Sequence, residues 1–156
     1  VKETSPGIPV VARLTNEAAI KELLVNCDLP YTDITTQYLR HYLTVWDDAQ
    51  LVGVVGLEML GNQALLRSLA VHPAKRGRGY ASRLVREIEV YACEQNIKAL
   101  YLLTVTAEGF FVQRGYRKIE REAVPAAVAA TIEFQRLCPD SAVCMAKELL
   151  YESRSL

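Results

Sequence analysis

The period of the hydrophobic pattern changes several times along the chain, and the changes mark its elements. Val10-Val11-Ala12-Arg13 reads as a short strand behind residues 1–9, a flexible start containing Thr-Ser-Pro-Gly. Ala18, Ala19, Leu23 and Leu24 then recur at helical spacing after Thr15, a residue type that caps helix starts, and Asp28-Leu29-Pro30-Tyr31 ends that helix. Thr35 to His41 predicts a second short helix and Leu43 to Trp46 a strand. Asp47-Asp48-Ala49-Gln50 is the hairpin turn into Leu51–Met59, a continuous apolar strand interrupted by Gly53 and Gly56 and carrying one acid, Glu58. Gly61-Asn62-Gln63 turns the chain back, so this strand and the next are expected to pair antiparallel.

The next stretch, Leu65 to Leu84, organises the rest. An apolar strand, broken by Arg67 and Ser68, ends at His72-Pro73; Arg76-Gly77-Arg78-Gly79-Tyr80-Ala81 follows, and Leu84, Val85 and Ile88 then return at helical spacing. The order is strand, glycine-containing loop, helix. Downstream, Ala99–Thr106 predicts a strand and Ala107–Gln113 a short helix stopped at Gly115, where a left-handed cap suits glycine. Tyr116–Arg121 predicts another strand, Val124–Leu137 a helix behind Pro125, and Ala142–Lys147 a last strand. This repetition of strands and helices predicts a mixed α/β sheet with helices on both faces.

The loop has a chemical consequence. The first amides of a helix lack partners within it, the helix dipole adds partial positive charge there, and glycine lets an anion approach the backbone. From Arg67 to Arg86 the basic side chains are Arg67, Lys75, Arg76, Arg78, Arg83 and Arg86, with no acid among them. The loop is expected to hold phosphate. It is neither the G-x-x-x-x-G-K-[ST] loop nor the three-glycine dinucleotide loop.

Composition narrows the rest. The 156 residues fit one domain able to bury its own core, and 51% hydrophobic residues with zero formal net charge describe a soluble globular chain. The basic cluster is local, with no aromatic residue but Tyr80 between the arginines, which argues against nucleic acid. No apolar run reaches the roughly 18 residues of a membrane span and no signal-peptide pattern precedes the fold, so the expectation is no membrane partner and a cytoplasmic location. Cys27, Cys93, Cys138 and Cys144 form no CxxC pair and lie far in sequence from His41 and His72; buried free thiols are expected rather than a metal site.

The hexapeptide Arg76-x-x-Gly79-x-Ala81, placed after LAVHP and before an amphipathic helix, resembles the acetyl-CoA loop of the GNAT family of N-acetyltransferases. Leu100-Tyr101-Leu102-Leu103-Thr104, Phe110-Phe111 and Arg114-Gly115-Tyr116 resemble the second half of that signature. The block is similar to the acetyltransferase domain of N-acetylglutamate synthases. VVGLE, ALLRSLAVHP, TAEGFF, VPAAVAAT and LCPDSAVCM together resemble the small arsenic-resistance-associated N-acetyltransferases more closely. The resemblance implies a GNAT fold, with a mixed, mostly antiparallel sheet of six to seven strands splayed around an acetyl-CoA cleft. It also implies an amine acceptor and, in many members, a homodimer formed through the tail helix and last strand.

Carried residue by residue, the resemblance places the backbone of Leu69, Ala70 and Val71 along the pantetheine. The amides of Arg76, Gly77, Arg78, Gly79, Tyr80 and Ala81 would lie on the pyrophosphate, and Phe110 and Phe111 beside the cofactor. Two departures stand out: Phe111 occupies the place of a tyrosine acid found in many relatives, and Leu65 that of a glutamate base. Glu58 is then the candidate base or else a surface acid at a strand end, while Thr104 and Ser68 are candidate polar groups near the thiolate or ordinary strand residues. Arg67, inside an apolar strand, must either point to solvent or pair with a carboxylate, supplied by a substrate or by a structural partner such as Glu58. Tyr31 and Asp33, in the variable segment, are candidate acceptor-lining residues. Two readings stay open: acetyl transfer to the amine of a small molecule, with a glutamate-like amino acid favoured, or a catalytically silent CoA-binding module.

Overall fold

The computed structural model describes residues 10–12, 15–137 and 139–149. The flexible start expected at residues 1–9, together with Arg13 and Cys138, lies outside the described residues. Among the described residues, seven strands form one sheet in the order β1-β2-β3-β4-β5-β7-β6, where β1 is Val10–Ala12, β2 Tyr42–Asp47, β3 Gln50–Leu60, β4 Gln63–Val71, β5 Ala99–Thr104, β6 Arg117–Ile119 and β7 Val143–Glu148. The β1–β2, β2–β3, β5–β7 and β6–β7 ladders are antiparallel. The β4–β5 ladder is parallel and takes in Gln63–Leu65 against Ala99–Tyr101, the first three residues of each strand. The mixed, mostly antiparallel sheet matches the sequence expectation.

The described residues fall into two compact units, one from Val1–Gly56 and Ser68–Ile88, the other from Leu57–Arg67 and Glu89–Leu156. In the first, helix α1 (Glu17–Asn26) lays Ile20, Leu23 and Leu24 against Ile34, Leu39 and Tyr42. Each such fully buried aliphatic side chain contributes about 1.5–3 kcal/mol. Its cap is Asn16 rather than the expected Thr15: Asn16 has extended backbone and its Oδ1 accepts the Ala19 N–H at 3.1 Å. The helix expected over 35–41 is a single tight turn, Tyr38–His41, because β2 begins at Tyr42 and leaves no length for a longer one. The β2–β3 hairpin turns at Asp48, whose φ of +55° is tolerated by a short polar side chain. Helix α2, Tyr80–Glu94, ends with Asn96 at φ +64° and the Ile97 N–H on the Ala92 carbonyl, a left-handed cap.

In the second unit, Leu65, Val124, Val128, Phe134 and Cys144 form the core. Helix α3 is Glu108–Val112, and Gly115 beyond it has φ +93°, as a left-handed stop requires. The strand expected to reach Thr106 ends at Thr104, where the side-chain hydroxyl accepts the Ala107 N–H at 2.9 Å and turns the chain. The strand expected over 116–121 shrinks to Arg117–Ile119, since Arg121–Ala123 turn as a 3-10 segment. The helix expected over 124–137 is split into α4, Ala126–Ala129, and a π-type turn, Glu133–Leu137. Thr131 divides them: its hydroxyl donates to the Val128 carbonyl at 2.8 Å and accepts the Phe134 N–H at 3.3 Å, replacing ladder bonds with side-chain bonds. Among the described residues no helix is long and apolar enough to cross a membrane, and no cluster of three or more His, Cys, Asp or Glu is placed to hold a metal. Cys144 is buried, whereas Cys27 and Cys93 are half-buried free thiols.

Two expectations follow. A Cβ added at Gly56 would fall inside the ring of Tyr42, a side chain only 1% exposed, so Gly56→Ala should cost about 1–3 kcal/mol in urea unfolding; an unchanged midpoint would mean that the ring moves aside freely. Burial, aided by the neighbouring Glu89 carboxylate, holds the Tyr116 phenol well above its ordinary 10.0, and burial pushes the Cys144 thiol from 9.0 up to about 11. Both stay protonated in the fold while the unfolded chain ionises, so their stabilisation is complete below pH 9 and is lost as pH rises through the folded values. Urea midpoints should therefore fall between pH 9 and pH 11, and less steeply in Tyr116→Phe/Cys144→Ala; equal slopes would contradict this.

Candidate functional site

The candidate residues lie in two groups, one in each unit. In the first unit, β4 ends where the His72 N–H donates to the Val52 carbonyl at 2.7 Å. Pro73–Lys75 then make one 3-10 turn, with His72 Nδ1 accepting the Ala74 N–H at 3.1 Å. Gly77 and Gly79 follow at φ +81° and +83°, backbone that side-chain-bearing residues adopt only at a cost, and a Cβ on either would meet nothing within 4 Å. Arg83 donates to the Gly79 carbonyl at 3.1 Å in the first turn of α2, so the amides just before it stand ahead of the helix ladder at the positive end of the dipole. Open space beside the two glycines and backbone donors ahead of the helix are the elements an anion site needs.

The cations around the loop divide their work. Lys75 Nζ pairs with Asp47 at 3.3 Å, and the Arg76 guanidinium folds back, its Nε donating to the Val71 carbonyl at 3.1 Å and its Nη2 to Cys27 Sγ at 3.4 Å. These two side chains brace the loop against β4, β2 and the end of α1. Arg78, by contrast, is exposed. Of Lys75, Arg76 and Arg78, two therefore act on the loop's shape.

Ser68, just upstream, holds φ +64° in mid-strand. A left-handed non-glycine residue costs roughly 1–2 kcal/mol. A hydrogen bond of 2.8 Å between Ser68 Oγ and Tyr42 Oη, both buried, offsets it by about 0.5–1.5 kcal/mol. Leu69 is half-buried, and Ala70 and Val71 are buried. Tyr31 is exposed and Asp33 half-buried in the irregular segment after α1.

In the second unit, Arg67 is 2% exposed, with Nη1 3.5 Å from Glu58 Oε1 and Nε 3.5 Å from Glu133 Oε1. The structural partner envisaged for Arg67 is present, and a second carboxylate joins it. Glu133 was not legible as a site residue; its one signal is an acid inside the apolar VAATIEF run, turned inward by the π-type turn. Glu58 keeps 15% of its side chain exposed and Glu133 6%. Thr104 spends its hydroxyl on the Ala107 amide. Phe111 is buried edge-on between Phe110 and Tyr116, with ring centroids 5.1 and 5.3 Å away, and the Arg114 guanidinium lies 3.7 Å over the Phe110 ring. The Tyr116 hydroxyl donates to Glu89 at 2.8 Å, and Lys147 reaches the same carboxylate at 3.0 Å.

The sequence pattern of the acetyltransferase (GNAT) family matches residues 12–119. The chain belongs to that family. An amino-acid acetyltransferase of Pseudomonas fluorescens is 37% identical over 71 residues, 46% of this chain and 16% of the relative. An uncharacterized N-acetyltransferase of Chlorobaculum tepidum is 29% identical over 90 residues, 57% of each. This GNAT chain thus spans about a sixth of the length of the amino-acid acetyltransferases it matches. In fold it is similar to N-acetylglutamate synthase from Neisseria gonorrhoeae complexed with coenzyme A and N-acetyl-glutamate, with a TM-score of 0.76 at 17% identity over 96% of this chain and 36% of that one. A Mycobacterium tuberculosis structure in complex with CoA gives 0.76 at 22% identity over 91% of this chain and 100% of that one.

The geometry of this GNAT loop makes a direct prediction. Gly79→Ala should weaken CoA binding by about tenfold in isothermal titration, since the added Cβ disfavours the positive φ. An unchanged affinity would mean that the loop does not hold the diphosphate.

Proposed function

We propose that this chain is an acetyl-CoA-dependent N-acetyltransferase that transfers the acetyl group to the amine of a small molecule of the amino-acid class. The observation that carries the reading is the pair of left-handed glycines, Gly77 and Gly79, set at the start of α2 with the helix-start amides behind them. Arg76, Arg78, Tyr80 and Ala81 complete the diphosphate cradle through their backbone amides, and Leu69–Val71 offer backbone to the pantetheine arm. The bound cosubstrate supplies an acetyl thioester; the chain supplies position, a proton acceptor and donors for the developing oxyanion. Names carried by relatives, amino-acid acetyltransferase and N-acetylglutamate synthase, support the acceptor class.

Glu58 is the proposed base, because it is the more exposed acid of the Arg67 cluster and so can exchange its proton with solvent. Arg67 is proposed to orient Glu58. The alternative, in which Arg67 receives a substrate carboxylate, requires that carboxylate to displace Glu58 or Glu133 from the guanidinium. One observation favours a second reading, a CoA-binding module without turnover: Phe111 is buried among aromatic rings and has no proton to give a leaving thiolate.

Release of CoA thiol across a panel of amino acids, polyamines and peptides separates the two. Turnover confined to an amino acid, reduced about 10²–10⁴-fold in Glu58→Gln, is the expected result. Activity only on polyamines or peptide N-termini would reject the acceptor class, and CoA binding with no turnover would install the silent module.

A further inference from the structure

The strained residue of β4 and the tyrosine that touches it form a device of their own. Among the described residues, Ser68 is the only strand residue of the non-glycine positive-φ positions, the others being Asp28, Asp48 and Asn96 in turns. Those three are Asp and Asn, which visit the left-handed region readily; serine in a strand does not. Its hydroxyl meets Tyr42 Oη at 2.8 Å, with Ser68 8% and Tyr42 1% exposed. Tyr42 can reach that place because its partner across the β2–β3 ladder is Gly56, and any Cβ there would occupy the space its ring fills. Three residues from β2, β3 and β4 are thus fitted to one bond, and what that bond holds is the backbone turn immediately before Leu69, Ala70 and Val71.

We propose that Tyr42 is a positioning residue: through the bond to Ser68 it locks the left-handed turn of β4 and so aims the Leu69–Val71 backbone at the pantetheine arm of acetyl-CoA. The inference rests on the acetyltransferase reading above. It assigns Tyr42 no proton transfer and no contact with the acetyl group. The loop at Gly77–Ala81 has braces of its own outside that segment, Lys75 to Asp47 and Arg76 to Cys27, so the clamp acts mainly on the pantetheine part of the ligand.

That division gives the test. Affinities of the full chain for acetyl-CoA and for 3′-phosphoadenosine diphosphate, which lacks the pantetheine arm, are measured by isothermal titration in the parent and in Tyr42→Phe, which keeps the ring against Gly56. Tyr42→Phe should weaken acetyl-CoA by about tenfold and leave the nucleotide within about twofold. Adding Ser68→Gly to Tyr42→Phe should restore acetyl-CoA affinity, because glycine adopts positive φ without a clamp. Equal affinity for acetyl-CoA in parent and variant, parallel loss of both ligands, or failure of the glycine to rescue would each overturn the proposal. A parent chain that binds neither ligand would instead sink the acetyltransferase reading, and this inference with it.

Discussion

Backbone donors at the start of a helix need an acceptor, and in this chain they are presented by a loop whose two positive-φ positions favour glycine. Gly77 and Gly79 at positive φ bend the chain so that the amides before Arg83 stand at the head of α2. Everything around the loop preserves that presentation. Lys75 and Arg76 are spent on Asp47, Val71 and Cys27, so the charge density read from the sequence serves in part as scaffolding. On the proposed reading, the amides and the helix dipole carry the attraction for a diphosphate.

Charge in the second unit is balanced in the opposite sense. One guanidinium, 2% exposed, faces two carboxylates, that of buried Glu133 and that of half-buried Glu58, and removing it would break both pairs, a loss of about 3–5 kcal/mol where the pair is buried. Such a cluster is costly to build, and replacing it by apolar residues of similar volume would often be neutral. Its presence fits the role proposed above for Glu58 as base.

Much of the fold was legible because periodicity changes where the backbone changes. The apolar run Leu51–Met59, the Leu65–Val71 strand, the α2 face and the Gly115 stop all fell close to their observed places. Three of the misses share one cause, side chains that satisfy backbone groups locally: Thr131 cut the expected tail helix, Thr104 ended β5, and Asn16 took the cap from Thr15. The loop was legible from two glycines and a helix start. The clamp of Tyr42, Gly56 and Ser68 was not, because it joins three strands through one hydrogen bond, and a serine in a strand carries no mark of its φ. Glu133 was hidden in the same way, since only the π-type turn brings it to Arg67.

On the proposed reading, the amides at the head of α2 hold the diphosphate of CoA. An amide-resolved NMR titration of the isotopically labelled chain with CoA tests it most directly. The account predicts that the largest shifts fall on the N–H groups of Gly77 to Ala81, and that pantetheine, which has no diphosphate, leaves them in place. Saturable binding of CoA with those amides unmoved would contradict it.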